Sequence, residues 1–113
     1  MKEIKAIIRP ARLLDVTEEL QRIDGLPGVT VSDIRGFGKG RAKNASDKVV
    51  YEMVEFIPRI QLEVVVNDDL VAEVVDVIQK YAHTGNTGDG KIFVSTVDDI
   101  VKIRTNERGP GAV

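Results

Sequence analysis

"RIQLEVVVNDDLVAEVVDVI", residues Arg59 to Ile78, changes its apolar period halfway along. Ile60, Leu62, Val64 and Val66 alternate with Gln61 and Glu63, the period of two that a strand with one buried face requires. After "NDD" the apolar residues Leu70, Val74, Val77, Ile78 and Tyr81 fall on one side of a helix. Asn67, Asp68 and Asp69 read as a helix N-cap with an acidic first turn.

The same grammar occurs earlier, in "KEIKAIIRPARLLDVTEEL", Lys2 to Leu20. Ile4, Ala6 and Ile8 share one strand face. Pro10 suits the first turn of a helix, where its missing N–H is no loss. Leu13, Val16, Leu20 and Ile23 then form a helical stripe, with Glu18, Glu19, Gln21 and Arg22 outward. Each strand–helix unit leads into a further strand. "DGLPG" (Asp24–Gly28) turns the chain into β-branched Val29–Ile34, and a glycine-rich turn leads into Ile92–Thr96. Val101–Thr105 reads as a short fifth strand. The tail, residues 105–113, is polar and Gly/Pro-containing and is expected to fray.

Doubling of a β-α-β unit predicts an α+β, ferredoxin-like βαββαβ sandwich, one domain over residues 1–113 with a long loop between strands 2 and 3. Its sheet is antiparallel, with both helices on one face. The other face stays partly apolar, which argues for an oligomer.

Bulk composition narrows the function. The chain has 113 residues, 42% of them hydrophobic and 30% charged, with a formal net charge of −2. No global positive field points to nucleic acid. Absence of cysteine removes disulfides and thiolate metal sites. No apolar run reaches the roughly 20 residues of a membrane span, so no direct membrane insertion is expected. "MKEIKAIIRP" lacks the apolar region of a leader, and a cytoplasmic location is expected. His83 is the only histidine. No nucleophile–base pair is visible, so no catalytic residues are assigned.

Two segments fit neither period. "GFGKGRAKNASDKVVYEMVEF" (Gly36–Phe56) opens on three glycines and carries Lys39, Arg41, Lys43 and Lys48. A loop this long in so small a domain suggests a functional element. "HTGNTGDGKIFV" (His83–Val94) places Gly85, Gly88 and Gly90 ahead of Lys91. Two readings stand: a tight helix-to-strand turn, or a nest of backbone N–H groups that cradles phosphates. A Walker A loop is excluded, because Lys91 is followed by Ile92 and a strand rather than by Ser/Thr and a helix. Lys102 and Arg104 alternate on the last strand, either as a polyphosphate contact or as charges protecting an edge.

"TGNTGDGKIFV", "RGFGKG", "FIPR" and "KIRT", in this order over nearly the whole chain, resemble the PII signal-transduction family. The resemblance implies a homotrimer that binds ATP or ADP between subunits, with Mg2+ on ATP and, in many members, 2-oxoglutarate. It makes residues 37–57 the T-loop and 83–91 the B-loop. It assigns Gly88, Asp89, Gly90 and Lys91 to the phosphates, and Lys102 and Arg104 to phosphate contacts from a neighbouring subunit. Gly36, Phe37 and Gly38 become the T-loop base, Lys39 and Arg41 further nucleotide contacts, and Thr30 a neighbour of the adenine. Lys43, Lys48 and Tyr51 fall in the partner-binding loop. The implied target is a transporter or a nitrogen-metabolism enzyme.

The chain departs from the family at the effector site. Gly40 stands where the family has the glutamine that helps hold magnesium and 2-oxoglutarate, and glycine has no side-chain oxygen to offer. Arg59 replaces the lysine that pairs with 2-oxoglutarate. Glu52 stands at the tyrosine uridylylated in many members, so uridylylation is not expected. Two other classes share the strand order: a small phosphate-handling enzyme, and an RNA-binding module. For the latter, Phe93 is alone where several stacking rings are needed.

Overall fold

The alternation of residues 59–66 becomes β3 (Ile57–Val66) in a computed structural model that describes residues 1–38 and 55–113. β3 pairs antiparallel with β1 (Lys2–Ile8), Ile60 opposite Ile8 and Val64 opposite Ile4. β2 (Thr30–Gly36) joins the other edge of β3, and β4 (Lys91–Thr96) joins β1. All pairs are antiparallel and the order is β2-β3-β1-β4, which is the ferredoxin-like arrangement.

Helices α1 (Leu13–Leu20) and α2 (Val71–Ala82) supply the second layer. The core is the pair of patterns read from the sequence. Ile4, Ala6 and Ile8 of β1 and Ile60, Leu62, Val64 and Val66 of β3 meet Val16, Leu20, Val74 and Ile78 of the helices. A fully buried Leu or Ile contributes roughly 1.5–3 kcal/mol by leaving water.

Three local expectations need correction. Asn67 makes no side-chain cap; a 3-10 turn, Asp68–Leu70, leads into α2 instead. Asp68 accepts a hydrogen bond from the Met1 ammonium at 2.9 Å, which holds its carboxyl below the usual range. Val101–Thr105 is not a strand. Val101 forms an isolated bridge with Arg108, and the Asn106 N–H donates to the Lys102 carbonyl at 2.8 Å, closing a turn between them. Asn106, at φ 62°, takes the left-handed conformation such a turn needs. The tail does not fray: Pro110–Ala112 form a 3-10 turn and Ala112 is buried.

The antiparallel order decides where function can sit. The C-terminal ends of β1 and β2, the start of β3 and the start of β4 all lie at one end of the sheet, since Ile7 faces both Gln61 and Lys91, and Gly36 faces Ile57. Both atypical segments of the sequence therefore leave the fold at the same end.

Candidate functional site

At that end a cleft of about 710 Å³ opens between the loop base and the glycine turn. Ile7, Ile34, Ile57 and Phe93 form its apolar floor, and Gly36, Phe37 and Gly38 form one wall. Asn86 to Lys91 form the other wall, with Arg59 at the edge. Its size is within the range of small-molecule sites.

The glycine turn is built for close approach. Gly85, Gly88 and Gly90 have φ of 89°, 101° and 96°, where other residues are strained. Gly90 has a second constraint: a Cβ there would stand 1.7 Å from the Ile7 carbonyl oxygen. The turn is thus pressed directly onto the end of β1.

Asp89 organises this turn from within. Its Oδ2 accepts the Thr84 N–H at 2.8 Å and the Gly85 N–H at 2.9 Å. Its Oδ1 accepts the Thr84 hydroxyl and the Arg9 Nε–H, the latter at 3.1 Å. These bonds, the Thr84 hydroxyl foremost, hold the carboxyl well below its ordinary pKa. The family resemblance places Asp89 at the ligand's phosphates; its carboxylate faces the loop's own donors and Arg9. Asp89 is the only carboxylate among the described residues that line the cleft, and both of its oxygens are engaged by the loop and Arg9.

Two guanidinium groups flank Gly88. A Cβ at Gly88 would stand 3.2 Å from both Arg9 Nη2 and Arg59 Nη2. They arrive together because β1 ends and β3 begins side by side, with Ile8 opposite Ile60. Arg9 Nη2 also donates to the Thr87 carbonyl at 2.7 Å. Arg59 donates to the Pro58 carbonyl at 2.8 Å and has no carboxylate partner among the described residues. Arg9 was not singled out in the sequence. Its place at the end of a strand, immediately before Pro10, does not by itself mark it out.

Gly36, Phe37, Gly38, Arg59, Gly88, Asp89, Gly90 and Lys91 are thus brought together. Thr30 is not: it lies six residues along β2 from Gly36, roughly 20 Å at the rise of a strand. Lys102 and Arg104 also stand outside the cleft, in the turn after β4, where Lys102 pairs with Glu107 at 3.8 Å. Their alternation is not that of a strand. Lys39, Gly40, Arg41, Lys43, Lys48 and Tyr51 lie outside the described residues. Phe37 and Phe56 meet edge to face across the loop neck, centroids 5.6 Å apart. No described helix is long and apolar enough to cross a membrane.

The chain is similar to known proteins over its whole length. The family described as "Nitrogen regulatory protein P-II" matches residues 1–107. The Nitrogen regulatory protein P-II of Azospirillum brasilense is 42% identical over 113 residues, covering all of both chains. The Nitrogen regulatory protein P-II 1 of Escherichia coli (strain K12) is also 42% identical, again over the full length of both. The crystal structure of Arabidopsis thaliana PII bound to citrate superposes with a TM-score of 0.79 at 39% identity, covering 99% of this chain and 91% of that one. The chain belongs to the nitrogen regulatory protein P-II family.

Proposed function

We propose that this chain is a non-enzymatic regulator that binds ATP or ADP and passes the bound state to a protein target through residues 37–57. The observation that carries this is the shared cleft. The base of the long loop and the glycine turn line the same 710 Å³. On this reading a ligand held by Gly88–Lys91 also reaches the backbone of Gly36–Gly38.

The chemistry suits a nucleotide. An apolar floor accepts a base, while positive-φ glycines, Lys91 and Arg59 suit phosphates. On this reading the ligand is bound and released rather than turned over. ATP and ADP differ by one phosphate, and a group that contacts only the third phosphate shifts the loop's population toward one arrangement.

The single chain lacks part of the expected site. Thr30, Lys102 and Arg104 lie away from this cleft, and the open sheet face carries Phe93, 45% exposed. A homotrimer brings these residues of one copy to the cleft of the next. A relative bound to citrate supports polyanion binding by this fold. The 2-oxoglutarate response is reduced, because Gly40 offers no oxygen to a metal. The target is a transporter or a metabolic enzyme.

The test is competition with a fluorescent ATP analogue. Lys91→Gln is expected to weaken ATP binding by about tenfold or more, the loss of one charge-assisted contact. Equal affinity in the wild type and the variant would remove the phosphate assignment.

A further inference from the structure

Arg9 holds the two sides of the glycine turn at once. Its Nε–H donates to Asp89 at 3.1 Å and its Nη2 donates to the Thr87 carbonyl at 2.7 Å, with Gly88 between them. The guanidinium fork supplies these two donors from one rigid plane, which an ammonium cannot do. Asp89 carries the tie onward to the Thr84 and Gly85 N–H groups. One guanidinium and one carboxylate therefore fix the backbone from Thr84 to Asp89.

Arg9 is itself anchored. It is extended, φ −68° and ψ 138°, between β1 and a 3-10 turn that begins at Pro10. The proline fixes the chain leaving Arg9, and the Arg12 N–H bonds the Arg9 carbonyl at 3.0 Å. Ile7, two residues earlier, carries the carbonyl that admits only glycine at position 90. The end of β1 thus acts as a template for the turn.

We infer that Arg9 is a positioning residue for the phosphate site, holding the N–H groups of residues 87–90 in their binding arrangement before a nucleotide arrives, while those of Gly85 and Asn86 are spent inside the loop. Its charge is neutralised by Asp89, so it acts through the loop rather than as a phosphate cation. The paired carboxylate is kept off the phosphates for the same reason. Preorganisation of this kind raises affinity by removing the ordering cost at binding. The inference rests on the nucleotide reading above, but the shape of the free loop does not.

The experiment compares wild type, Arg9→Lys, Arg9→Ala and Asp89→Asn by two readouts. One is amide hydrogen exchange of residues 84–90 without ligand; the other is ATP affinity by calorimetry. Arg9→Lys keeps the charge and loses the fork. It is expected to exchange faster at residues 84–90, with unchanged protection in β1 and β3, and to bind ATP about tenfold more weakly, the scale of losing a supporting partner. Asp89→Asn is expected to behave alike, and the double variant to be no worse than either single one. Normal exchange and affinity in Arg9→Lys, with loss only in Arg9→Ala, would overturn the inference by making Arg9 a simple charge. If wild type binds no ATP, the proposed function fails, while faster exchange in Arg9→Lys still supports the template and unchanged exchange overturns it.

Discussion

Gly90 is the residue on which the site depends most. Its φ of 96° and the Ile7 oxygen 1.7 Å from a would-be Cβ are separate penalties on any side chain. Gly90→Ala is expected to destabilise the protein by about 2–4 kcal/mol, read as a shift in the urea midpoint. Gly36 is the control. It has open space around it and no positive φ, so Gly36→Ala should stay within about 0.5 kcal/mol of wild type. Asp89 makes a second prediction, in pH. Its folded pKa is lowered from 3.8, so its contribution is complete above that value and is lost as pH falls below it toward the folded pKa. A carboxyl-detected NMR titration should show Asp89 still ionised where exposed carboxylates have protonated. Thr84→Val removes the leading cause and should raise the midpoint. An unchanged midpoint would contradict this hydrogen-bond assignment.

At the scale of elements, much of this protein could be read directly from its periods. Ile60, Leu62, Val64 and Val66 alternate because β3 is buried on one face, and all four are core residues. Ile78 sits at the meeting of α2 with the sheet, 1% exposed, and Ile78→Ala should cost about 2–5 kcal/mol in chemical denaturation. What the periods missed has physical reasons. Lys102 and Arg104 alternate as in a strand, but the Lys102 N–H donates to the Glu107 carbonyl and the Lys102 carbonyl accepts from the Asn106 N–H, which turns the chain there, and an isolated stretch of five residues cannot announce that. "NDD" has the composition of a cap, yet Asp68 takes the Met1 ammonium instead, a partner 67 residues away. The cleft was legible in its glycines and in Lys91. Arg9 was not, because a single basic residue after a strand has no distinguishing pattern until β1 and β3 place it beside Arg59 and Gly88. Nor did the sequence reveal that the Asp89 carboxylate faces inward.

Across the whole molecule, the fold gathers both unusual loops at one end of one sheet, and this couples them. The neck of the long loop is closed by Phe37 and Phe56. A double-mutant cycle with Phe37→Leu and Phe56→Leu should give a coupling of about 0.5–1.5 kcal/mol. The open sheet face and the fully exposed Ile103, 99% accessible in the single chain, call for further copies. Sedimentation equilibrium is expected to give three times the chain mass, and a monomer at micromolar concentration would remove the shared-site account of Lys102 and Arg104. The central claim, that the glycine turn holds nucleotide phosphates, is tested most directly by calorimetric titration with ATP and with ADP, each with magnesium, with and without 2-oxoglutarate. The account predicts saturable binding of one nucleotide per chain, little changed by 2-oxoglutarate; no heat of binding with either nucleotide would contradict it and leave residues 83–91 as a turn alone.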